Sequence, residues 1–366
     1  MSRARLRTAV VLVAATLLAA CNSTGSAATS PAPASPSAGG TASPSPVGQL
    51  GPGGLTLDQE IGAVMMVGFE GPVDGQVLAD WTQRQFGGLL VVNLNHNAAT
   101  AASMSALLNA VRGVAQHRLI AATDQEGGGV CLAIDTVPCD AMPVGQAGTT
   151  QMAAQLKELG FDLDLGPVSD VCSGTSSIMW GRCYGTVPGT VAAAVGPVVD
   201  GIHAAHMLAA AKHFPGHGDT AVSSETRLPR IDESLATIQA RDLPPFRSAI
   251  SHGVDFVLLG HLFYPALDPV RSADLSPVTI QLLRSNLGFR GAIISDDMEM
   301  GAITNSTPTP EAAVEFLVAG GDMVMVAHHL DVADATYDAI KAAVVSGRLP
   351  RARLDDAVAT LEALPG

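Results

Sequence analysis

The sequence predicts an α/β fold, a (β/α)8 TIM barrel preceded by a signal peptide and a disordered linker. Three observations carry this expectation. From Leu55 onward, eight short and nearly continuous apolar runs alternate with longer amphipathic stretches. Residues able to do chemistry gather at the C-terminal ends of those runs, the face on which barrels of this kind carry their active sites. The charge is also unevenly spread. Residues 1–57 contain no Asp or Glu, and only Arg3, Arg5 and Arg7 among the basic types. The rest of the chain therefore carries all 34 acidic residues and 17 of the 20 basic ones. A net charge of −14 in 366 residues argues against nucleic acid as a partner, because such binding is driven by Lys and Arg on phosphates. With 47% hydrophobic residues, wholesale disorder is excluded as well.

The first element is an address. Three arginines precede an apolar run, Thr8 to Ala20, that is too short to span a bilayer comfortably. It ends Leu18-Ala19-Ala20-Cys21, which resembles a bacterial lipobox. Residues 1–21 are therefore expected to be a lipoprotein signal peptide, with Cys21 lipidated after cleavage. The competing reading is an ordinary secretory signal with a Cys nearby. Lipid chains would hold the protein on a membrane without making it span one. The expected location is extracytoplasmic, as a membrane-anchored bacterial lipoprotein. Residues 22–54 are rich in Ser, Pro, Ala and Gly and carry no charge. They bury too little apolar surface to offset the entropy of ordering, so they read as a tether.

Four cysteines then remain: Cys131, Cys139, Cys172 and Cys183. Outside the cytoplasm an even number suggests disulfides. Near neighbours pair most simply, as Cys131–Cys139 and Cys172–Cys183, each contributing roughly 2–3 kcal/mol in the chain-entropy model. Free buried thiols are the alternative.

The predicted strands lie in 61–69, 87–93, 118–125, 161–170, 207–214, 254–262, 291–297 and 322–329. Apolarity on both faces is the mark of strands in a covered parallel sheet. Helical patterns intervene, for example at 98–116, 190–206, 233–251, 277–287 and 330–346. The rival architecture is a doubly wound open sheet, which usually has fewer strands. The first run also reads as a helix, since Asp58 to Met66 is amphipathic. Residues 55–366 are read as one barrel domain, expected to be monomeric.

The loaded strand ends are Asp124 and Glu126, Asp170, Lys212 and His213, His261, Asp296 and Asp297, and His328. Two segments stand out. In KHFPGHGDT (212–220), a Lys directly after an apolar strand is costly unless hydrogen-bonded. Lys212 and His213 in a barrel mouth suit hydroxyl-rich or anionic ligands. A metal set of His213, His217 and Asp219 is disfavoured, because Pro215 and two glycines break any helix that would align the histidines. No metal or cofactor is expected. In ISDDMEM (294–300), a carboxylate on a strand end is rigidly placed, as a nucleophile must be. Ser295 or Asp296 as a helix cap is the competing reading. Trp180 reads either as a sugar-stacking ring or as a partly buried structural one. The Met298/Met300 pair reads as core, and His217 as a brace for its own loop.

Together KHFPGHGDT, SDDM, DQEGG (124–128), FDLDLGPVSDV (161–171) and the Gly-Arg-x-[FY]-Gly pattern at 181–185 resemble glycoside hydrolase family 3. They look in particular like its single-domain β-N-acetylglucosaminidases of the peptidoglycan-recycling type, including lipoprotein members. The resemblance covers about 55–366 in motif order. It implies retaining hydrolysis through a covalent glycosyl-enzyme, with peptidoglycan fragments as the glycan substrate. Asp296 matches the family nucleophile, and Asp124, Arg182, Lys212 and His213 match residues that hold the sugar hydroxyls. The family's proton donor is a His in an Asp-Ser-His triplet. Here that triplet falls on Ser223-Ser224-Glu225, with Leu228-Pro229 keeping the register. A second departure is Gly129, where the family usually has Arg. Either Glu225 replaces the His, with a pKa raised from about 4.3 toward 6–7, or the domain binds sugar and is catalytically impaired. Action on glucosides and transfer to phosphate both stay open.

Overall fold

The computed structural model describes residues 50–132, 134, 137 and 142–366. The signal peptide, Cys21, most of the expected linker and Cys139 lie outside the described residues. The last linker positions belong to the fold: Pro52–Gly54 form a 3-10 turn. Gly51 sits so close to the Glu60 carboxyl and Arg351 that a Cβ there would fall 1.4 Å from Glu60 Oε1. The folded domain thus begins a few residues before Leu55.

Eight parallel strands close into a barrel in sequence order. They are β1 (Met65–Val67), β2 (Gly88–Leu90), β3 (Ile120–Thr123) and β4 (Leu163–Asp164), then β5 (Leu208–Phe214), β6 (Phe256–Leu259), β7 (Ala292–Asp297) and β8 (Met323–Val326). Every strand residue is buried, which accounts for runs that never alternate with polar residues. Closure is direct, with Met66 opposite Gly88 of β2 on one side and Met325 of β8 on the other. Pairing of β1 with β8 removes the open-sheet alternative.

The ambiguous first run contains both elements. Thr56 and Gln59 form a capping box that starts helix Leu57–Ala63, and β1 follows immediately. The expected helix at 98–116 is shorter, Ala101–Arg112, and 190–206 and 330–346 correspond to Pro188–Ala204 and Leu330–Ser346. The stretch 233–251 is not uniform. A short turn, Leu235–Thr237, leads into a π-type segment, Ile238–Asp242, and then helix Leu243–Ser251. Pro244 and Pro245 offer no N–H to carbonyls a turn earlier, and the helix widens there. Similarly, 277–287 passes from Pro277–Gln281 into the π-type segment Leu282–Asn286. No helix among the described residues is long and apolar enough to cross a membrane.

Candidate active site

At the C-terminal mouth of the barrel lies a cavity of about 330 Å³. Asp124, Arg182, Lys212, His213, Glu225 and Asp296 all line it. Their elements are far apart in sequence. Lys212 and His213 end β5, Asp296 is near the end of β7, and Asp124 follows β3. Arg182 and Glu225 come from the long loops after β4 and β5.

Lys212 is almost fully buried and is held by two carboxylates. It pairs with Asp124 and donates to Glu126 Oε1 at 2.8 Å. Glu126 also accepts both arms of the Arg182 guanidinium, each at 2.7 Å, a bidentate geometry that fixes orientation as well as charge. Burial alone would raise the Glu126 pKa, but Lys212 and Arg182 outweigh it and hold the carboxyl below its ordinary range. Burial would likewise lower the Lys212 pKa; Asp124 and Glu126 raise it instead, so the ammonium stays charged.

His213 Nδ1 lies 2.8 Å from Asp170 Oδ2. Asp170 also accepts from the His213 and His217 backbone N–H groups at 3.3 and 2.6 Å. One buried carboxylate therefore sets both the ring and the KHFPGHGDT loop. His217 is buried in the cavity wall with Nε2 3.3 Å from Ser224 Oγ. Burial and the neighbouring His213 push its pKa down to about 4, so the ring is neutral and braces its own loop against the Ser224 segment.

Glu126 and Asp170 were legible only as loaded strand ends. Their roles as organisers of Arg182, Lys212 and His213 emerge from the packing. Arg182 is further restrained by the Cys172–Cys183 disulfide, which closes its loop over 11 positions. Cys131 is disulfide-bonded too, and it lines the cavity.

Asp296 is buried, and its Oδ1 accepts the Asp297 N–H at 2.9 Å. Burial opposes its ionisation. His213, His261, that N–H and Lys212 overcome the penalty and hold the pKa below the usual aspartate range. Ser295 Oγ accepts Met325 N–H at 2.9 Å, so it ties β7 to β8. The next helix, Gly301–Thr304, has no side-chain cap, which removes the capping alternative for Ser295 and Asp296. Asp297 accepts the Glu299 and Ala327 N–H groups at 3.1 and 3.0 Å and shapes the two loops beyond.

Glu225 stands on the cavity rim. Partial burial and the charge of Asp296 both raise its pKa. Its loop is clamped to the segment after β7. Gly301 N–H donates to Glu225 O and Ala302 N–H to Ser224 O, both at 2.9 Å, and Asn305 Nδ2 donates to Thr226 O at 2.8 Å. Ser223 Oγ accepts the Glu225 N–H at 3.3 Å.

Other expectations fare differently. Trp180 is 52% exposed and is not among the cavity-lining residues. Met298 is core, but Met300 lines the cavity, because the turn after β7 carries it outward. His328 also lines the cavity, with Nδ1 2.6 Å from Asn95 Oδ1.

Residues 56–364 match the model of the glycosyl hydrolase family 3 N-terminal domain. A beta-hexosaminidase of Stenotrophomonas maltophilia is 32% identical over 268 residues, covering 68% of this chain and 78% of that protein. Among solved structures, a family 3 β-N-acetylglucosaminidase from Paenibacillus superposes with a TM-score of 0.79 at 32% identity. That match covers 84% of this chain and 62% of the larger protein. A β-N-acetylhexosaminidase from Beutenbergia cavernae aligns with a TM-score of 0.75 at 26% identity, over 84% of this chain and 98% of its own. With the barrel closed, the mouth loaded with carboxylates and bases, and the family model matched from end to end of the folded part, this chain belongs to glycosyl hydrolase family 3.

Proposed function

We propose that the protein is a retaining glycosidase that releases β-linked N-acetylglucosamine from cell-wall-type glycans, peptidoglycan fragments above all. The observation that carries this reading is a pair of carboxyl groups on one cavity whose pKa values are pushed in opposite directions, Asp296 down and Glu225 up. That division is what a nucleophile and a general acid require.

In the first step the Asp296 carboxylate attacks the anomeric carbon. The glycosidic C–O bond breaks, and Glu225 gives its proton to the departing oxygen. In the second step the Glu225 carboxylate takes a proton from water, whose oxygen attacks the same carbon and expels Asp296. Asp124, Arg182, Lys212 and His213 hold the sugar hydroxyls. Lys212 and Arg182 donate, and Asp124, 28% exposed at its side chain, keeps an oxygen for the ligand. The sugar preference is supported by the names of the matched relatives. The protein would act as a monomer outside the cytoplasm, tethered through lipidated Cys21 and the linker. The lipobox-like ending at Cys21 supports that location.

The test is trapping with a 2-fluoro aryl glycoside followed by peptide mass analysis. Label on Asp296 is expected; turnover with label elsewhere overturns the assignment. For Glu225, the Glu225→Ala variant with azide is expected to form a glycosyl azide. Full activity in Glu225→Gln would refute its role. A second reading is a sugar-binding protein with impaired catalysis, favoured by Ser223 at the place of the family's His-orienting Asp. It predicts measurable cleavage of activated aryl glycosides and little of natural disaccharides, because losing acid/base catalysis costs about 10²–10⁴-fold.

A further inference from the structure

His261 follows β6 and is fully buried, as is its partner Asp274. Its Nδ1 lies 3.0 Å from Asp274 Oδ2, and its Nε2 lies 2.8 Å from the Asp297 carbonyl oxygen. A carbonyl can only accept, so Nε2 carries a hydrogen. An ionised carboxylate can only accept, so Nδ1 carries one as well. Two acceptors facing two ring nitrogens define an imidazolium. The one neutral arrangement moves the second proton onto Asp274 Oδ2 and leaves Nδ1 bare, a state that 15N spectra of the ring would register.

We propose that His261 is a fixed imidazolium and a positioning residue for the reaction, clamping the peptide that follows Asp297 and supplying the positive charge that keeps Asp296 ionised. The inference rests on the reading of Asp296 as the nucleophile and goes beyond it. The ring touches no substrate atom; it acts through the strand end that carries the carboxylate. Burial works against its charge, but Asp274 first and Asp296 next raise its pKa to about 9.

Other titratable groups also surround the nucleophile, among them the neutral His217 ring and His328, whose Nε2 lies 3.6 Å from Asp297 Oδ2. His213 and Lys212 of β5 act on Asp296 in the same sense as His261. Glu225, across the cavity, also feels His261. The Asp297 carboxyl is turned to the Glu299 and Ala327 N–H groups. A cation fixed here has a specific kinetic consequence. It loses its counter-charge when Asp296 becomes an ester and regains it when the carboxylate departs. Hydrolysis of the glycosyl-enzyme is therefore the step it assists most.

Two measurements test this. Long-range 15N–1H spectra of histidine-labelled wild type, with His261 identified by the signal lost in His261→Gln, are expected to show both ring nitrogens protonated from pH 5 to 8. One bare nitrogen in that range would overturn the proposal. If His261→Gln does not fold, Asp274→Asn identifies the same ring by its change of state. The second measurement is the pH profile of kcat/KM on an aryl N-acetylglucosaminide. In Asp274→Asn the acid limb is expected to move up by about one pH unit, as loss of a nearby opposite charge requires, and kcat and KM to fall together as glycosyl-enzyme accumulates. An acid limb unchanged from wild type would overturn it. Ring protonation is read on the free protein whatever its activity. A neutral His261 and an unlabelled Asp296 are thus separate failures.

Discussion

Gly301→Ala should separate the task of protonating the leaving group from that of binding the sugar. A Cβ at position 301 would lie 2.6 Å from Thr226 O and 2.8 Å from Glu225 O. Both are backbone atoms and cannot turn aside, so the loop carrying Glu225 must retreat by several tenths of an ångström. Two bonds of 2.9 Å, Gly301 N to Glu225 O and Ala302 N to Ser224 O, are lost or stretched at about 1 kcal/mol each. A bias of about 2 kcal/mol against the productive loop position is roughly a 30-fold loss of the reactive population. Misplacing a catalytic group by about 1 Å can cost about 10²-fold, so the expected range for a substrate with a poor leaving group is about 30- to 100-fold in kcat/KM. An activated nitrophenyl glycoside, which needs little proton transfer, should lose only a fewfold. The assay is kcat/KM of wild type and variant on both substrates. Equal losses on the two, or no loss on either, would refute the claim that position 301 acts by placing the Glu225 carboxyl. Asn305→Ala, which removes only the bond to Thr226 O, should act in the same sense and more weakly.

Three other outcomes follow from the same geometry. Replacing Cys172 and Cys183 by Ser should cost about 3 kcal/mol through the 11-position loop, or about 4 °C in Tm for a barrel of this size. It should raise KM more than it lowers kcat, because the released loop carries Arg182. Lys212→Met leaves Glu126 and Asp124 without their shared cation; a loss of about 3 kcal/mol in urea unfolding is expected, and unchanged stability would contradict the pairing. Asp164, fully buried beside Asp124 and Glu126, has its pKa pushed up to about 8, chiefly by burial. A folded-state proton that the unfolded chain releases near pH 4 makes this group's contribution fall as pH rises from about 4 to 8. Asp164→Asn should flatten that part of the stability profile measured by denaturant titration, and an unaltered profile would exclude the buried proton.

The barrel was legible because a strand covered on both faces leaves a plain trace, and the loaded ends of those strands meet around one cavity. The helix at Leu57–Ala63 and β1 shared one apolar run because Val64 alone separates them, and a hydrophobicity pattern has no means of dividing two buried elements so closely joined. The motifs name six candidate residues that the structure brings to one cavity, but they do not name the groups that organise them. Glu126 and Asp170 look like any other carboxylate in the sequence. Their importance lies in which side chains they meet across 56 and 43 positions. The same holds for Gly301, whose role is set by two carbonyls 75 or so residues away and by nothing adjacent to it. Composition said still less about His261, a strand-end histidine whose charge follows from two acceptors on other elements.

On the proposed reading, in which Glu225 stands in for the family's His, more than one side chain changes. A protonated His donor carries a positive charge, whereas a protonated Glu is neutral; after proton transfer the first is neutral and the second negative. With the Asp of the triplet counted as well, the two pairs carry the same net charge, zero before proton transfer and minus one after it. What changes is that the acid no longer places a cation beside Asp296, so other groups must keep the nucleophile ionised. His213, His261 and Lys212 all act on Asp296 in that direction. The ionised Asp296 in turn raises the Glu225 pKa, as does the acid's own partial burial. The lost Asp of the triplet is then consistent with the lost His. An anion at position 223 would add a further like charge beside Glu225, while Ser223 accepts its N–H without one. Restoring Ser223→Asp alone should therefore push the alkaline limb of kcat/KM upward by raising the Glu225 pKa. The same change made together with Glu225→His should instead favour the imidazolium of the family's usual dyad, and a pH profile insensitive to Ser223→Asp would refute this coupling.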